Sequence, residues 1–172
     1  MADRRAIVNR RRAYQPDRVA VLLVGESAPA GGNHYYLANS LLFLAIQEAA
    51  RRVYGSRVPE GEDFLAFAQG QGVWLVDLAA QPVNDLSDVD RRSLVRRGIP
   101  RIARVIADYA PAFVVAIGTT YVAGPAGQAL ERSKADAELV ALPFPTWRRE
   151  EFIVGLARLL RRARRQRSST YA

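Results

Sequence analysis

The chain has 172 residues, of which 49% are hydrophobic and 24% are charged, and its formal net charge is +8 at pH 7. It contains no cysteine, which excludes disulfides and thiolate chemistry and favours a cytoplasmic location. No apolar run approaches the roughly 20 residues that a transmembrane helix needs, so no membrane partner is expected. Of the two polyanionic partners that the positive charge favours, nucleic acid comes first and an anionic membrane surface second, and we expect DNA to be the partner.

The chain divides into three parts. Residues 1–17 are polar and basic, and we expect a leader that is disordered in part. Residues 18–166 have the length and the alternating apolar pattern of one folded domain with one core. Residues 167–172 form a polar tail that we expect to be solvated.

Strands and helices alternate within the predicted domain. Short apolar runs predict four strands, over residues 19–24, 73–77, 112–117 and 138–142. Helical periodicity, capping residues and glycine stops predict helices over residues 40–54, 59–69, from 87 to a break near 98, 99–109 and 147–165. A further helix, capped by Thr119 or Thr120, is expected to run past Pro125 in pieces. The alternation predicts an α/β fold with a mainly parallel sheet and helices on both faces.

Three loops of this sheet are expected to emerge at one edge. They follow the strand ends at Val24, Asp77 and Leu142. The first loop is rich in glycine, alanine and proline, and it carries one carboxylate, Glu26, at its start. A strand, a polar loop and a helix in succession build ligand sites at the carboxyl edge of parallel sheets. We therefore expect the functional site at this edge.

Four segments carry a resemblance to a known family: residues 24–29 (VGESAP), 73–77 (VWLVD) followed by 82–84 (PVN), 113–120 (FVVAIGTT) and 142–146 (LPFPT). They resemble the first active-site motif, the second strand with its loop, the third strand with its turn, and the His-Pro-Ser loop of the uracil-DNA glycosylase superfamily. The chain is similar to a small, divergent bacterial member. The resemblance implies a three-layer α/β/α sandwich around a four-stranded parallel sheet. It also implies a DNA repair hydrolase that cleaves the N-glycosidic bond of a deaminated or modified base flipped from DNA.

Glu26 matches the carboxylate of the first family motif. The resemblance implies that it orients water or stabilises the cationic sugar. The alternative is that Glu26 only holds its own loop, by accepting backbone N–H bonds.

The resemblance places Ser27, Tyr35, Tyr36, Asp77 and Phe144 at base-binding positions. The two tyrosines fall where the family has an aromatic wall on which a base stacks, and the alternative is that both are core aromatics. Asp77 stands where related enzymes often have Asn. An ionised Asp only accepts hydrogen bonds, so it serves the N3–H of uracil but repels O4, which favours a different base or ligand. The alternative for Asp77 is a helix cap or a loop brace.

Phe144 stands where many family members have the His that stabilises the departing base anion. Phenylalanine cannot donate a hydrogen bond, so a backbone N–H or Arg148 would have to replace that contribution. The single histidine, His34, lies in the first loop and is more typical of a surface or loop residue than of a catalytic base.

The segment after Phe144 corresponds to the family region that grips the DNA backbone, and it provides the predicted DNA-binding residues Pro145, Thr146, Arg148 and Arg149. Arginines of the leader and of the last helix form two further basic clusters, which we expect either to bind phosphate or to be solvated helix ends. The strandedness of the DNA is left open. No cofactor is expected, since the chain has no cysteines for an iron–sulfur cluster and no His and carboxylate cluster for a metal.

Two other functions remain open at this point. One is a catalytically silent module of the same fold that binds a base, a nucleotide or DNA. The other is a Rossmann-like protein for a small phosphorylated ligand. The residue 25–29 loop argues against the second, because it lacks repeated glycines and places Glu26 where a phosphate would lie.

Overall fold

A computed structural model describes residues 4–169 of the chain. Within this range the strands are β1 (Val21–Gly25), β2 (Val73–Asp77), β3 (Phe113–Ile117) and β4 (Glu138–Leu142). The helices are α1 (Arg4–Ala13), α2 (Leu41–Tyr54), α3 (Asp63–Gly70), α4 (Asp88–Arg97), α5 (Ile99–Tyr109), α6 (Ala123–Ser133) and α7 (Arg149–Ser169). Two short 3₁₀ turns, Tyr35–Leu37 and Gly55–Arg57, flank α2.

The four strands form one parallel sheet in the order β2-β1-β3-β4. Val21 of β1 pairs with Val73 on one side and Phe113 on the other, and Phe113 pairs in turn with Glu138. The central strands β1 and β3 are buried along their whole length. Their apolar side chains follow one another without alternation, as in strands that helices cover on both faces. The predicted α/β fold with a parallel sheet is confirmed.

Helices cover the two faces of the sheet. Helix α7 contacts α2, β1 and β4, and α5 packs along α6. With right-handed crossovers, the connection from β1 to β2 and the connection from β2 to β3 run in opposite directions and therefore lie on opposite faces. This arrangement is consistent with a three-layer α/β/α sandwich.

Several predicted helix boundaries are confirmed by their caps. The Ser40 hydroxyl accepts a hydrogen bond from the Phe43 N–H at the start of α2, and the Ser87 hydroxyl accepts one from the Asp90 N–H at the start of α4. The predicted break falls at Gly98, between α4 and α5. A Cβ at Gly98 would collide with the Leu78 carbonyl, so only glycine lets this junction pass so close to the loop after β2.

Other boundaries differ from the predictions. The first strand begins at Val21, and α6 is a single helix without a threonine cap, because Pro125 lies in its first turn, where a missing N–H costs little. The leader contains helix α1, whose Ile7 is buried in the core. Residue 7 is therefore part of the fold rather than of a disordered segment. Helix α7 extends through Ser169, so the predicted tail is helical up to that residue, and residues 170–172 lie outside the described range.

The outer edge of β2 is closed by side chains and by α1. The Tyr36 hydroxyl donates to the Leu75 carbonyl oxygen at 2.8 Å and accepts from the Leu75 N–H at 3.1 Å. The Trp74 ring N–H donates to the Arg11 carbonyl of α1 at 3.4 Å. The Tyr36 contacts satisfy two backbone groups that an edge strand would otherwise leave exposed, and the Trp74 bond ties α1 to the strand. Within residues 4–169, no helix is both long and apolar enough to cross a membrane.

Candidate functional site

A cleft of about 820 Å³ lies at the carboxyl edge of the sheet. It is formed by the loops that follow the four strands and by the first turns of α2, α4 and α7. The structure brings together most of the predicted site residues in its lining: Glu26, Ser27, Tyr35, Asp77, Phe144, Thr146 and Arg148. Three other predicted residues, Tyr36, Pro145 and Arg149, lie outside the lining.

Glu26 is held by an arginine from a distant part of the chain. Arg91 of α4 donates from Nε to Oε1 at 2.5 Å and from Nη2 to Oε2 at 2.6 Å. Both side chains are about three-quarters buried or more, with exposed fractions of 19% for Glu26 and 25% for Arg91. This bidentate geometry fixes the plane of the carboxylate as well as its position. Hydrogen bonding to Glu26 raises the pKa of Arg91, so Arg91 stays charged.

Arg91 was missed by the sequence analysis. It lies 65 residues from Glu26, and the sequence around either residue does not predict the contact. The available signal was topological, since the first turn of α4 begins at the same sheet edge as the loop that carries Glu26. The alternative in which Glu26 accepts backbone N–H bonds is not what the structure shows, because both carboxylate oxygens bond to Arg91.

Tyr121 connects Arg91 to the loop after β3. The Arg91 guanidinium carbon lies 4.0 Å from the centre of the Tyr121 ring, which is a cation–π contact. The Tyr121 hydroxyl donates to Asp88 at 2.6 Å, and Arg92 donates to the same carboxylate at 2.8 Å. Both bonds lower the pKa of Asp88, and the bond to Asp88 raises the pKa of Tyr121. The loop after β3 is thereby joined to the start of α4 across the cleft.

Asp77 and His34 form a buried pair in the floor of the cleft. Nε2 of His34 lies 3.4 Å from Oδ2 of Asp77, and the two side chains are 5% and 11% exposed. The Tyr36 N–H donates to Nδ1 of His34 at 3.2 Å, so a neutral His34 carries its proton on Nε2, the nitrogen beside Asp77. His34 lies in the first loop, as predicted, but it is buried rather than on the surface, and it lines the cleft.

The placement of Asp77 depends on Gly25. A Cβ on Gly25 would lie 2.5 Å from Oδ1 of Asp77, closer than side chains approach one another. The backbone carbonyl of Asp77 accepts a hydrogen bond from Arg101. Burial lowers the pKa of Arg101, and the nearby charge of Arg11 adds to that effect. The carboxylate of Asp77 thus needs a glycine at residue 25, its backbone carbonyl is bonded to Arg101, and the side chain lines the cleft.

The two predicted stacking tyrosines differ in position. Tyr35 lines the cleft but is only 3% exposed, and its ring packs edge-on against Tyr36, with centroids 4.9 Å apart. Tyr36 is 1% exposed, and its hydroxyl is bonded to the backbone of β2. The prediction that Tyr36 stacks on a base is therefore wrong, because its ring is a core group. Burial raises the pKa of both tyrosines.

The rim of the cleft is apolar and exposed on the side of α2 and α7. Phe144 is 41% exposed, Trp147 86% and Leu41 56%, and all three line the cleft. Exposed aromatic side chains next to one another are unusual on a protein surface and suit a binding surface.

Only two of the four predicted DNA-binding residues line the cleft at this rim. Thr146 and Arg148 are exposed and line the cleft, and Arg148 is paired with Glu151 at 3.0 Å. Arg149 is exposed but outside the lining. Pro145 is buried. Direct DNA contact through Pro145 is therefore contradicted, because its turn directs the ring into the protein.

The arginines of the last helix lie away from the cleft. Helix α7 begins at the rim and, at 1.5 Å per residue, ends about 30 Å away. In the second half of this helix, Arg161, Arg164 and Arg167 donate to backbone carbonyls at the ends of α2 and α3. Such carbonyls carry the negative end of the helix dipole, so these arginines are helix caps. Their guanidinium groups are thus bonded to the protein's own backbone.

In the described part of the chain, no group of three or more His, Cys, Asp or Glu side chains is placed to hold a metal ion. A comparison with models of known protein families finds no match, and a comparison with curated proteins finds no significant match either.

Proposed function

We propose that the protein binds DNA at the cleft, takes up a base flipped from the stack and hydrolyses its N-glycosidic bond. The observation that carries this proposal is the convergence of Glu26, Asp77, Tyr35 and Phe144 in one cleft at the carboxyl edge of the sheet. These residues come from three loops that are far apart in the sequence. Each occupies a position of the uracil-DNA glycosylase motifs, although Asp77 replaces the frequent Asn and Phe144 replaces the frequent His. The proposal includes the finer fold assignment, a member of that superfamily.

Glu26 is the proposed catalytic carboxylate. In this hydrolysis the bond from C1′ to the base nitrogen breaks with its electron pair going to the base. Water adds to C1′, and its proton passes to the departing base or to solvent. A carboxylate has about four lone-pair directions, of which Arg91 uses two, so Glu26 can still accept from the attacking water. Its negative charge also favours the cationic sugar.

The charge that Phe144 cannot supply is available from arginine. Arg91 and Arg148 both line the cleft, and a guanidinium stays protonated at neutral pH. Either group can interact with the negative charge that develops on the leaving base. Phe144, which is 41% exposed at the rim, provides apolar surface for the base ring.

The second candidate is a catalytically silent module that binds a base or DNA. The observation in its favour is that both oxygens of Glu26 are already bonded to Arg91, which is what a structural ion pair requires. In this case the cleft keeps its shape and its aromatic rim without turnover.

A cleavage assay separates the two candidates. The substrates are labelled oligonucleotides, single- and double-stranded, with one uracil, hypoxanthine, xanthine or mismatched thymine, and alkali reveals abasic sites. The matched variants are Glu26→Gln and Glu138→Gln, since Glu138 forms a similar bidentate pair with Arg162 outside the cleft lining. Cleavage that only Glu26→Gln abolishes supports the hydrolase. Binding without any cleavage supports the silent module, and cleavage that survives in Glu26→Gln removes Glu26 from the mechanism.

A further inference from the structure

His34 and Asp77 are a buried polar pair to which the proposed hydrolysis assigns no chemical step. The only histidine of the chain has its Nδ1 occupied by the Tyr36 N–H, so Nε2–H is the donor left over. That donor lies 3.4 Å from a carboxylate oxygen of Asp77, and both side chains line the cleft. The floor of the cleft therefore presents one donor and one acceptor side by side.

The position of His34 is fixed by the loop around it. The backbone N–H of His34 donates to the side-chain oxygen of Asn39 at 2.9 Å, and the side-chain amide of Asn39 donates to the Gly32 carbonyl at 3.3 Å. The His34 ring stacks on Tyr36, with centroids 5.7 Å apart and an angle of 26° between the planes. Tyr36 is bonded to Leu75, two positions before Asp77 in the same strand. His34 and Asp77 are thus held on one framework, and neither has to be ordered by a ligand.

A carboxylate alone is a poor reader of a base edge that contains both a carbonyl and an N–H. It accepts from the N–H, but it repels the carbonyl oxygen. An imidazole N–H beside the carboxylate removes this conflict, because it donates to the carbonyl while the carboxylate accepts from the ring nitrogen. A separation of 3.4 Å between the two groups suits neighbouring atoms on one base edge.

We propose that His34 and Asp77 together read the lactam edge of the flipped base, a ring carbonyl next to a ring N–H, with His34 as the specificity-determining donor. This inference rests on base binding in the cleft, as proposed above. The class includes uracil, hypoxanthine and xanthine. It rejects cytosine and adenine, which present an amino group beside an unprotonated ring nitrogen and so reverse both the donor and the acceptor.

Two substitutions of His34 separate base reading from loop structure. Asn in His34→Asn can keep an acceptor near the position of Nδ1 for the Tyr36 N–H, but it lacks the reach of Nε2. Gln in His34→Gln carries an amide donor at the reach of Nε2 and gives up the acceptor for Tyr36. Thermal unfolding of each variant shows what the loop loses in either case.

The experiment measures equilibrium binding of oligonucleotides that carry one test base on a 2′-fluoroarabino sugar, which resists cleavage. The two matched comparisons are uracil against cytosine and hypoxanthine against adenine. We expect the wild-type protein to prefer the oxo base about tenfold or more in both comparisons. His34→Asn should reduce the preference to about twofold or less, and His34→Gln should restore part of it.

The outcomes separate this inference from the proposed function. Equal binding of oxo and amino bases by the wild-type protein, or an unchanged preference in His34→Asn, overturns the reading of the base edge and leaves the hydrolysis standing. A His34-dependent preference in a protein that cleaves nothing supports the inference and removes only the hydrolysis. A wild-type protein that binds none of the oligonucleotides overturns both.

Discussion

Two of the bidentate arginine–glutamate pairs in the described part of the chain lie at opposite ends of the strands of the sheet. At the carboxyl edge, Arg91 binds Glu26 and lies over the Tyr121 ring at 4.0 Å. At the amino-terminal end of β4, Arg162 binds Glu138 and lies over the Phe113 ring at 4.7 Å. The chemistry is the same, but the side chains of the first pair are 25% and 19% exposed and those of the second 44% and 46%. An arginine–glutamate pair alone therefore does not identify a functional site. The burial of the first pair and the groups around it distinguish the candidate site from the second pair.

Removing Arg91 should have the largest effect on activity. In Arg91→Met, Glu26 loses the fork that fixes its carboxylate plane, and misplacement of a catalytic group by about 1 Å can cost on the order of 100-fold in rate. Arg91→Lys should lose less, since it keeps the charge without the bidentate geometry. Single-turnover cleavage measures both variants, and Arg162→Met is the control, for which we expect the wild-type rate. Equal losses in Arg91→Met and Arg162→Met would mean that the two pairs do not differ in function.

The substitution Gly25→Ala should lower the free energy of unfolding, because it crowds the floor of the cleft. The Cβ of Gly25→Ala meets a buried carboxylate oxygen of Asp77, and overpacking of this kind typically costs about 1–3 kcal/mol. Urea unfolding measures the change. Gly124→Ala is the matched control, because nothing lies within 4 Å of its new Cβ and alanine favours the helix. A Gly25→Ala protein as stable as the wild type would show that Asp77 can move away.

The two groups of arginines should differ in DNA binding. Arg148 is 69% exposed on the rim, whereas Arg161 donates to the Arg52 carbonyl at the end of α2. Arg148→Ala should weaken oligonucleotide binding severalfold and reduce the slope of log affinity against log salt by about 0.9, the value for one lost phosphate contact in duplex DNA. We expect the same affinity and slope for Arg161→Ala as for the wild type. An unchanged salt slope in Arg148→Ala would exclude a phosphate contact there.

The smallest expected effect appears only in alkali. Burial raises the pKa of Tyr35 above its value of about 10 in the unfolded chain, so stability is complete below pH 10 and falls as the pH rises further, because the unfolded state loses the proton first. Tyr35→Phe should remove up to about 1.4 kcal/mol of that fall per pH unit. Tyr54, at the other end of α2, should contribute less, since Arg167 and Arg164 oppose the effect of burial on its pKa. Urea unfolding between pH 9 and 11 tests both substitutions, and identical curves for Tyr35→Phe and the wild type would contradict the first.

Local sequence signals predicted most of the fold. The serine caps of α2 and α4, the glycine break before α5 and the apolar runs of the strands each depend on residues close in the chain. Helix α1 was not predicted, because its sequence is rich in arginine and gives no sign that Ile7 is buried. Its position depends on contacts with β2 and the loop after β1, which the sequence of the leader does not reveal.

The sequence predicted where the candidate site lies, but not which side chains contact one another in it. Parallel topology brings Glu26, Asp77 and Phe144 to one edge, and the structure has them in one cleft. The partners of these groups were not predictable, because Arg91 and His34 meet Glu26 and Asp77 through tertiary contacts. The same limit applies to Tyr36, since the sequence alone does not tell a tyrosine that faces a ligand from one that is bonded to a neighbouring strand.

The hydroxyl of Tyr36 has a further consequence for self-association. It occupies the N–H and the carbonyl of Leu75 that face away from β1, which are the groups that a strand from another molecule would use to extend the sheet. At the other outer strand of the sheet, β4, most side chains are exposed. The charges of Glu138 and Arg162 there oppose pairing with a strand of another molecule. One border of the sheet is thus closed by hydrogen bonds and the other by charge, so high salt should promote aggregation through β4 before β2.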